Sequence, residues 1–154
     1  MEIKFVVYGE PVAKARARVT FKNGKTFAFT PSKTRTAEYN FRTQSLAHKP
    51  VAPLDCPIAL RVRVYRSMPK SFSSKKIEQA EKGFLRPTTR PDGDNYLKLV
   101  CDSMNKIFWN DDSQVVDKSV SKFYSATPRI EIELKTLPGP DSLFGGQSAA
   151  VENK

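Results

Sequence analysis

No stretch of this 154-residue chain is apolar for long enough to cross a bilayer. The opening "MEIKFVVYGEP" has too short an apolar run for a secretory signal and no basic start, so the expectation is a cytoplasmic protein without membrane contact. Cysteine is scarce. Cys56 and Cys101 lie far apart with no histidine at zinc spacing, which argues against a disulfide framework or a zinc site and leaves two reduced, partly buried thiols. The single histidine, His48, sits in a basic helical stretch with no triad around it, and reads as a surface residue. No glycine-rich Walker loop occurs, so P-loop NTPase chemistry is excluded, and no nucleotide cofactor is expected. Internal repeats are absent as well.

What is present fits one domain with a real core: the length suffices, and 39% hydrophobic with 27% charged residues is ordinary for a globular protein. The charge is not ordinary. The net is +10, and it is placed unevenly. Residues 1–70 hold fourteen Lys and Arg against four Asp and Glu, whereas residues 71–154 hold twelve of each. The excess therefore belongs to the N-terminal half, in clusters such as "KARARVTFKNGK". Such a surface attracts phosphate backbones and makes binding salt-dependent; the plainer alternative is a solvated face that aids solubility.

The pattern of elements is mixed. "IKFVVY" alternates as a strand, and Asn23-Gly24 between "ARVTF" and "TFAFT" is a two-residue hairpin signal. Glu38 to Ala47 has helix character, and prolines 50, 53 and 57 mark a loop. "IALRVRVY" is the clearest strand, with Ile58, Leu60, Val62 and Val64 on one face and Arg61 and Arg63 on the other. "SSKKIEQAEKG" predicts a short polar helix stopped by Gly83. Leu97, Val100, Cys101, Met104, Ile107 and Phe108 predict an amphipathic helix over 94–108. Two strands follow, in "SQVVDKSVSKFY" and "RIEIELK". The order β, ββ, α, β, α, α, β, β implies a single α+β domain over 1–136, a mixed β-sheet with helices packed on it. Residues 137–154, rich in Gly, Pro and Ser, are expected to be a disordered tail.

Within this basic chain, "PDGDN" sets Asp92 and Asp94 around a glycine, and "NDDSQ" sets Asp111 beside Asp112. Ordinary local chemistry accounts for each pair alone: aspartate caps a helix start, favours a turn, and Asp94 pairs with Lys98 one turn on. Together they suggest a metal site, whose all-oxygen ligands favour Mg²⁺ or Mn²⁺. A straight helix over 94–108 is about 21 Å long, so its ends cannot share one ion. Either the helix ends early or the next strand returns alongside it. An EF-hand from Asp92 is excluded, because Tyr96, Leu97 and Ser103 stand where that loop needs Asp or Asn, Gly and Glu. Phe72, Phe84 and Trp109 offer stacking surfaces for DNA, although core or interface is the commoner use, and Trp109 is assigned to the core.

At these residues the chain resembles a known family. "RPDGDNYLKLVCDSMNKIFWNDDSQVVDKSVSKFY" is similar to the core of the RusA-type Holliday junction resolvases, the crossover junction endodeoxyribonucleases of bacteria and their phages. Their pattern is Asp-x-Asp-Asn, a Lys four residues after the second Asp, then Trp-x-Asp-Asp-x-Gln-Val-Val. "YGEPVAKARARVTF", "FTPSKT" and "MPKSFSSKK" resemble the family's N-terminal segments, so the resemblance covers roughly 3–135. The chain departs from it at Gly93, where a large aliphatic residue is usual, and at Arg16-Ala17-Arg18, where Arg-Pro-Arg is frequent. The resemblance implies a RusA-like fold that joins the two aspartate segments. It implies that Asp92, Asp94 and Asp112 are metal-binding catalytic carboxylates, with Asp111 a neighbour, and that Lys98 acts on the scissile phosphate. It further implies Mg²⁺ (or Mn²⁺), a homodimer, and paired symmetric cleavage of four-way junction DNA in recombination and repair. Arg16, Arg18, Lys22, Lys25, Arg61 and Arg63 are the candidates for DNA backbone contacts. Two alternatives stand beside this: a nuclease for other branched or flap DNA, and a non-catalytic DNA-binding protein.

A metal-binding carboxylate group is expected to raise the melting temperature in Mg²⁺ or Ca²⁺, because only the folded chain assembles the site. An unchanged midpoint in thermal melts with and without divalent ions would favour turn chemistry alone.

Overall fold

The computed structural model describes residues 1–143. Six strands and three α-helices alternate in the expected order: β1 (Glu2–Tyr8), β2 (Arg18–Lys22), β3 (Lys25–Phe29), α1 (Ser32–Ser45), β4 (Ile58–Ser67), α2 (Ser74–Glu81), α3 (Gly93–Met104), β5 (Val115–Ser125) and β6 (Arg129–Thr136). Four strands form a mixed sheet in the order β1-β6-β4-β5, with β4 and β5 parallel and the other pairs antiparallel. This is the single α+β domain with a mixed sheet that the sequence predicts. β2 and β3 stand apart as a second, two-stranded sheet. Both central residues of their turn, Asn23 (φ 52°) and Gly24 (φ 72°), take the left-handed conformation that a tight hairpin turn requires.

Strand alternation sorts the sheet into two faces. Phe5 and Val7 of β1, Leu60, Val62 and Val64 of β4, and Ile130, Ile132 and Leu134 of β6 point inward and are buried. α1 and α3 pack against each other, and the buried side of α3, including Tyr96, Leu99, Val100 and Met104, completes the core. On the opposite face Arg61, Arg63, Glu131 and Glu133 meet solvent. Among the described residues no helix is long and apolar enough to cross a membrane.

Two helices differ from the sequence prediction. α1 starts at Ser32 rather than near residue 38, directly after Pro31, whose fixed φ of −55° suits a helix entry; no side chain caps it. Its apolar stripe is thin, with only Thr34, Phe41 and Ser45 buried, so its sequence signal is weak. α3 stops at Met104 instead of 108. Lys106 turns left-handed (φ 66°), Phe108 N–H donates to the Met104 carbonyl at 2.9 Å, and the proline-bounded loop takes over the backbone beyond. Leu54 N–H donates to Phe108 O at 2.9 Å and Asn110 N–H to Leu54 O at 3.3 Å. Phe108 and Trp109 therefore lie in a turn, both fully buried. After β6, Leu137 N–H donates to Pro57 O at 2.8 Å and Pro140–Leu143 forms a 3-10 turn; the rest of the expected tail, 144–154, lies outside the described residues.

The segment between β1 and the hairpin is tied down by Lys14. Its N–H donates to Asn95 O at 3.0 Å, and its ammonium meets Asp102 of α3 and Glu38 of α1. The Glu38 contact, at 3.0 Å, is an ion pair rather than a well-angled hydrogen bond. Burial opposes the Lys14 charge, but the hydrogen bond to Asp102 and the attraction of the Glu38 carboxylate outweigh it and hold the group above the ordinary lysine range. Lys14→Ala is expected to cost about 1–3 kcal/mol by stranding two half-buried carboxylates. Because the folded-state value is raised, this contribution is full below the ordinary lysine range and is lost only as pH rises through the raised value. Urea denaturation of both proteins at neutral pH and in strong alkali checks it: the gap is constant in the first range and closes in the second.

Candidate active site

The start of α3 is built from both sides. Lys122 of β5 donates to Thr89 O (2.9 Å) and Pro91 O (3.0 Å), and Arg66 of β4 donates to Arg90 O at 3.2 Å. Two strands thus pin the loop that delivers Asp92. Asp92 occupies the position that caps the helix, with extended backbone (φ −70°, ψ 150°), yet its carboxylate accepts no capping hydrogen bond. Asp94 follows in the first turn, exposed, and among the described residues neither carboxylate is engaged in a hydrogen bond or an ion pair. Two unspent carboxylates at one helix N-terminus more than offset the positive end of the dipole, and their excess negative charge suits a cation. Lys98, one turn on and exposed, forms no ion pair with Asp94. Beside Asp92 opens a cleft of about 550 Å³ whose walls include Lys14, Arg16, Arg90 and Asn95.

The second pair of aspartates divides into different roles. Asp111 is committed locally: it caps the 3-10 turn Asp112–Gln114, accepting from Ser113 N–H at 3.0 Å and from the Ser113 hydroxyl, while Gln114 Oε1 accepts from Asp111 N–H at 2.8 Å. The Ser113 hydrogen bonds hold its carboxyl below the usual carboxylate range. Asp112 is half-buried, and its Oδ1 accepts from Trp109 Nε1–H at 2.7 Å, which fixes the carboxylate against the buried indole. Gln114 anchors the turn by donating to Leu54 O at 2.8 Å.

Both ways of joining the two segments are partly realised. α3 ends early, and β5 returns alongside it, so that a Cβ on Gly93 would stand 3.0 Å from Val120 Cγ1. Lys118 lies two residues before Val120 on the same face of β5, paired with inward-pointing Leu60. Burial pushes the Cys101 thiol of α3 up to about 11; Lys118 opposes the rise, and Asp112 and Asp102 add to it. Asp92 and Asp94 share one end of a twelve-residue helix, about 18 Å long, and Asp112 belongs to the 3-10 turn that follows its other end. Among the described residues no three His, Cys, Asp or Glu side chains converge as a metal-binding group.

The candidate DNA contacts separate as well. Arg16 lines the cleft with Asp92, and Arg18, Lys22 and Lys25 are exposed on the β2–β3 hairpin. Arg61 and Arg63 sit on the outer face of the sheet, where they pair with Glu131 and Glu133 at 3.4–3.7 Å. Of the three aromatics, Trp109 is fully buried, Phe72 packs edge-on against Tyr124, and Phe84 is exposed. His48 is exposed but stacks on Phe5, with ring centres 5.0 Å apart. Sequence reasoning passed over Lys118, Lys122, Arg66 and Arg90. The alternation of Lys118, Val120 and Lys122 was the available signal for the first two, because it places all three on the helix side of an edge strand.

A family model described as Endodeoxyribonuclease RusA matches residues 8–135. The uncharacterized protein YqaN of Bacillus subtilis (strain 168) is 49% identical over 137 residues, spanning 88% of this chain and 96% of that protein. The crossover junction endodeoxyribonuclease rusA of Lactococcus phage r1t is 31% identical over 100 residues, spanning 64% of this chain and 71% of its own length.

The Gly93–Val120 contact accounts for the glycine in "DGDN": there is no room for a larger side chain unless Val120 yields. Gly93→Leu is expected to destabilise by about 1–3 kcal/mol through overpacking. Adding Val120→Ala should recover most of that loss, as read from the urea midpoints of the single and double variants.

Proposed function

Because the chain belongs to the RusA endodeoxyribonuclease family, we propose that it is a Mg²⁺-dependent endodeoxyribonuclease that resolves four-way DNA junctions by paired symmetric cuts, serving recombination and repair. The observation that carries the reading is at Asp92. A carboxylate in a capping position that does not cap, next to a second unspent carboxylate and a cleft walled by Arg16 and Arg90, is poor turn chemistry and good phosphodiester chemistry. The phage relative named as a crossover junction endodeoxyribonuclease supports the choice of substrate.

The donor set suits the ion. Mg²⁺ commonly takes one or two protein carboxylates and completes its shell with water and substrate phosphate, so a ready three-carboxylate cage is not required. Asp92 and Asp94 would hold it, whereas Asp112, which the family motif adds as a third carboxylate, is bonded to Trp109 and does not converge with them among the described residues; Mn²⁺ has the same preference for oxygen. When bound, the ion polarises the phosphodiester and lowers the pKa of a bound water. Lys98 sets a positive charge where negative charge grows on the phosphate. Arg16 and Arg90 hold flanking backbone in the cleft, and Asp111 keeps the turn in shape without binding metal. A cytoplasmic homodimer would match the two-fold symmetry of a junction with one site per protomer.

Wild type in Mg²⁺ is expected to nick a synthetic four-way junction at symmetric positions and to leave a matched linear duplex intact. Asp92→Asn should lose at least about 100-fold in rate, whereas Asp111→Asn should retain cleavage. Junction binding without cleavage by wild type in both Mg²⁺ and Mn²⁺ would sink the nuclease and leave a DNA-binding module. Cleavage of flaps in preference to junctions would redirect the substrate.

A further inference from the structure

The β2–β3 hairpin is the part of the molecule that the core does not explain. Every residue of both strands is exposed, and the pair is a sheet of its own. Isolated two-stranded hairpins are marginal in water, and clustered exposed apolar side chains mark binding surfaces. The register sorts its side chains. Arg18 faces Phe29, Thr20 faces Phe27 and Lys22 faces Lys25, so one face carries three cations and two phenyl rings. The other face carries Val19, Phe21, Thr26 and Ala28 and no charge.

We propose that the Phe27–Phe29 face of this hairpin binds unpaired or unstacked nucleotides at the DNA branch point and so distinguishes branched from linear DNA. The inference rests on the nuclease reading above and deepens it by assigning the discriminating element. Charge complementarity selects the partner. No acidic residue occurs from 11 to 37, and of the seven Lys and Arg in that span only Lys14 is spent on carboxylates, those of Asp102 and Glu38, among the described residues. Continuity supports it too: the strand enters from Arg16, which lines the cleft beside Asp92, so a DNA strand in that cleft meets the hairpin next. Phosphate contacts fix position and register but do not report whether a base is stacked. Aromatic faces do, since base faces are accessible only where stacking is broken, and an aromatic ring beside cations is the common platform for unpaired bases.

The test measures binding by the full-length protein in Ca²⁺, without cleavage, to a four-way junction carrying 2-aminopurine at the crossover and to a matched duplex, over a range of KCl. Phe27→Ala/Phe29→Ala is expected to weaken junction binding about tenfold or more, to change duplex binding little, and to leave the salt dependence unaltered. Phe27→Tyr/Phe29→Tyr should restore the preference, and Phe21→Ala, on the uncharged face, should keep it. Lys22→Gln/Lys25→Gln should weaken both DNAs and reduce the salt slope by about one to two. If wild type prefers the junction and Phe27→Ala/Phe29→Ala keeps that preference, the inference falls alone. If the same variant instead changes the sedimentation of the free protein from dimer to monomer, the face belongs to a second copy and the inference falls. If wild type shows no preference, the junction reading falls and takes the inference with it.

Discussion

The burial of Trp109 is the constraint on which the site depends. The indole sits in the core, where its N–H needs a partner, and Asp112 supplies one at 2.7 Å. That single hydrogen bond holds a carboxylate at a defined place on the surface. The same burial draws residues 105–110 out of the helix, with Leu54 taking up the backbone groups of Phe108 and Asn110. Once α3 has ended at Met104, the short turn capped by Asp111 launches β5 parallel to β4, and β5 runs back beside α3 as far as Gly93. Removing the indole would therefore loosen the core, the helix end and the Asp112 carboxylate at once.

Charge is handled differently in the two parts of the molecule. On the outer face of the four-stranded sheet Arg61 and Arg63 have acidic neighbours across the ladder, Arg129 pairs with Glu131 of its own strand, and Lys135 bridges Glu2 and Glu133 at 3.1 Å. The hydrogen bond to Lys135 holds Glu133 below the usual carboxylate range. Such exposed pairs contribute little stability, but they neutralise the face. Around the cleft and along the hairpin, Arg16, Arg18, Lys22 and Lys25 have no ion-pair partners among the described residues. The effective positive surface is thus smaller than the net charge suggests, and it is concentrated beside the aspartates. A basic surface next to two unspent carboxylates is what a metal ion and a polyanion would jointly neutralise.

The sequence by itself determined the element order, the hairpin turn at Asn23-Gly24, the alternation that sorts core from solvent, and the candidate residues at Asp92, Asp94, Lys98 and Asp112. These are local signals: period, turn chemistry and motif spacing survive without knowledge of neighbours. Tertiary structure alone decided the rest. It ended α3 at Met104, where Lys106 turns left-handed and burial draws Phe108 and Trp109 into a turn whose backbone pairs with Leu54. It neutralised Arg61 and Arg63, because the β4–β6 register sets Glu131 and Glu133 beside them. It also separated Asp111, spent on its own turn, from Asp112, held by Trp109, and it left Asp92 uncapped. Which hydrogen-bonding groups are consumed within the fold and which remain open to a ligand depends on partners far apart in the chain, and a linear motif does not contain them.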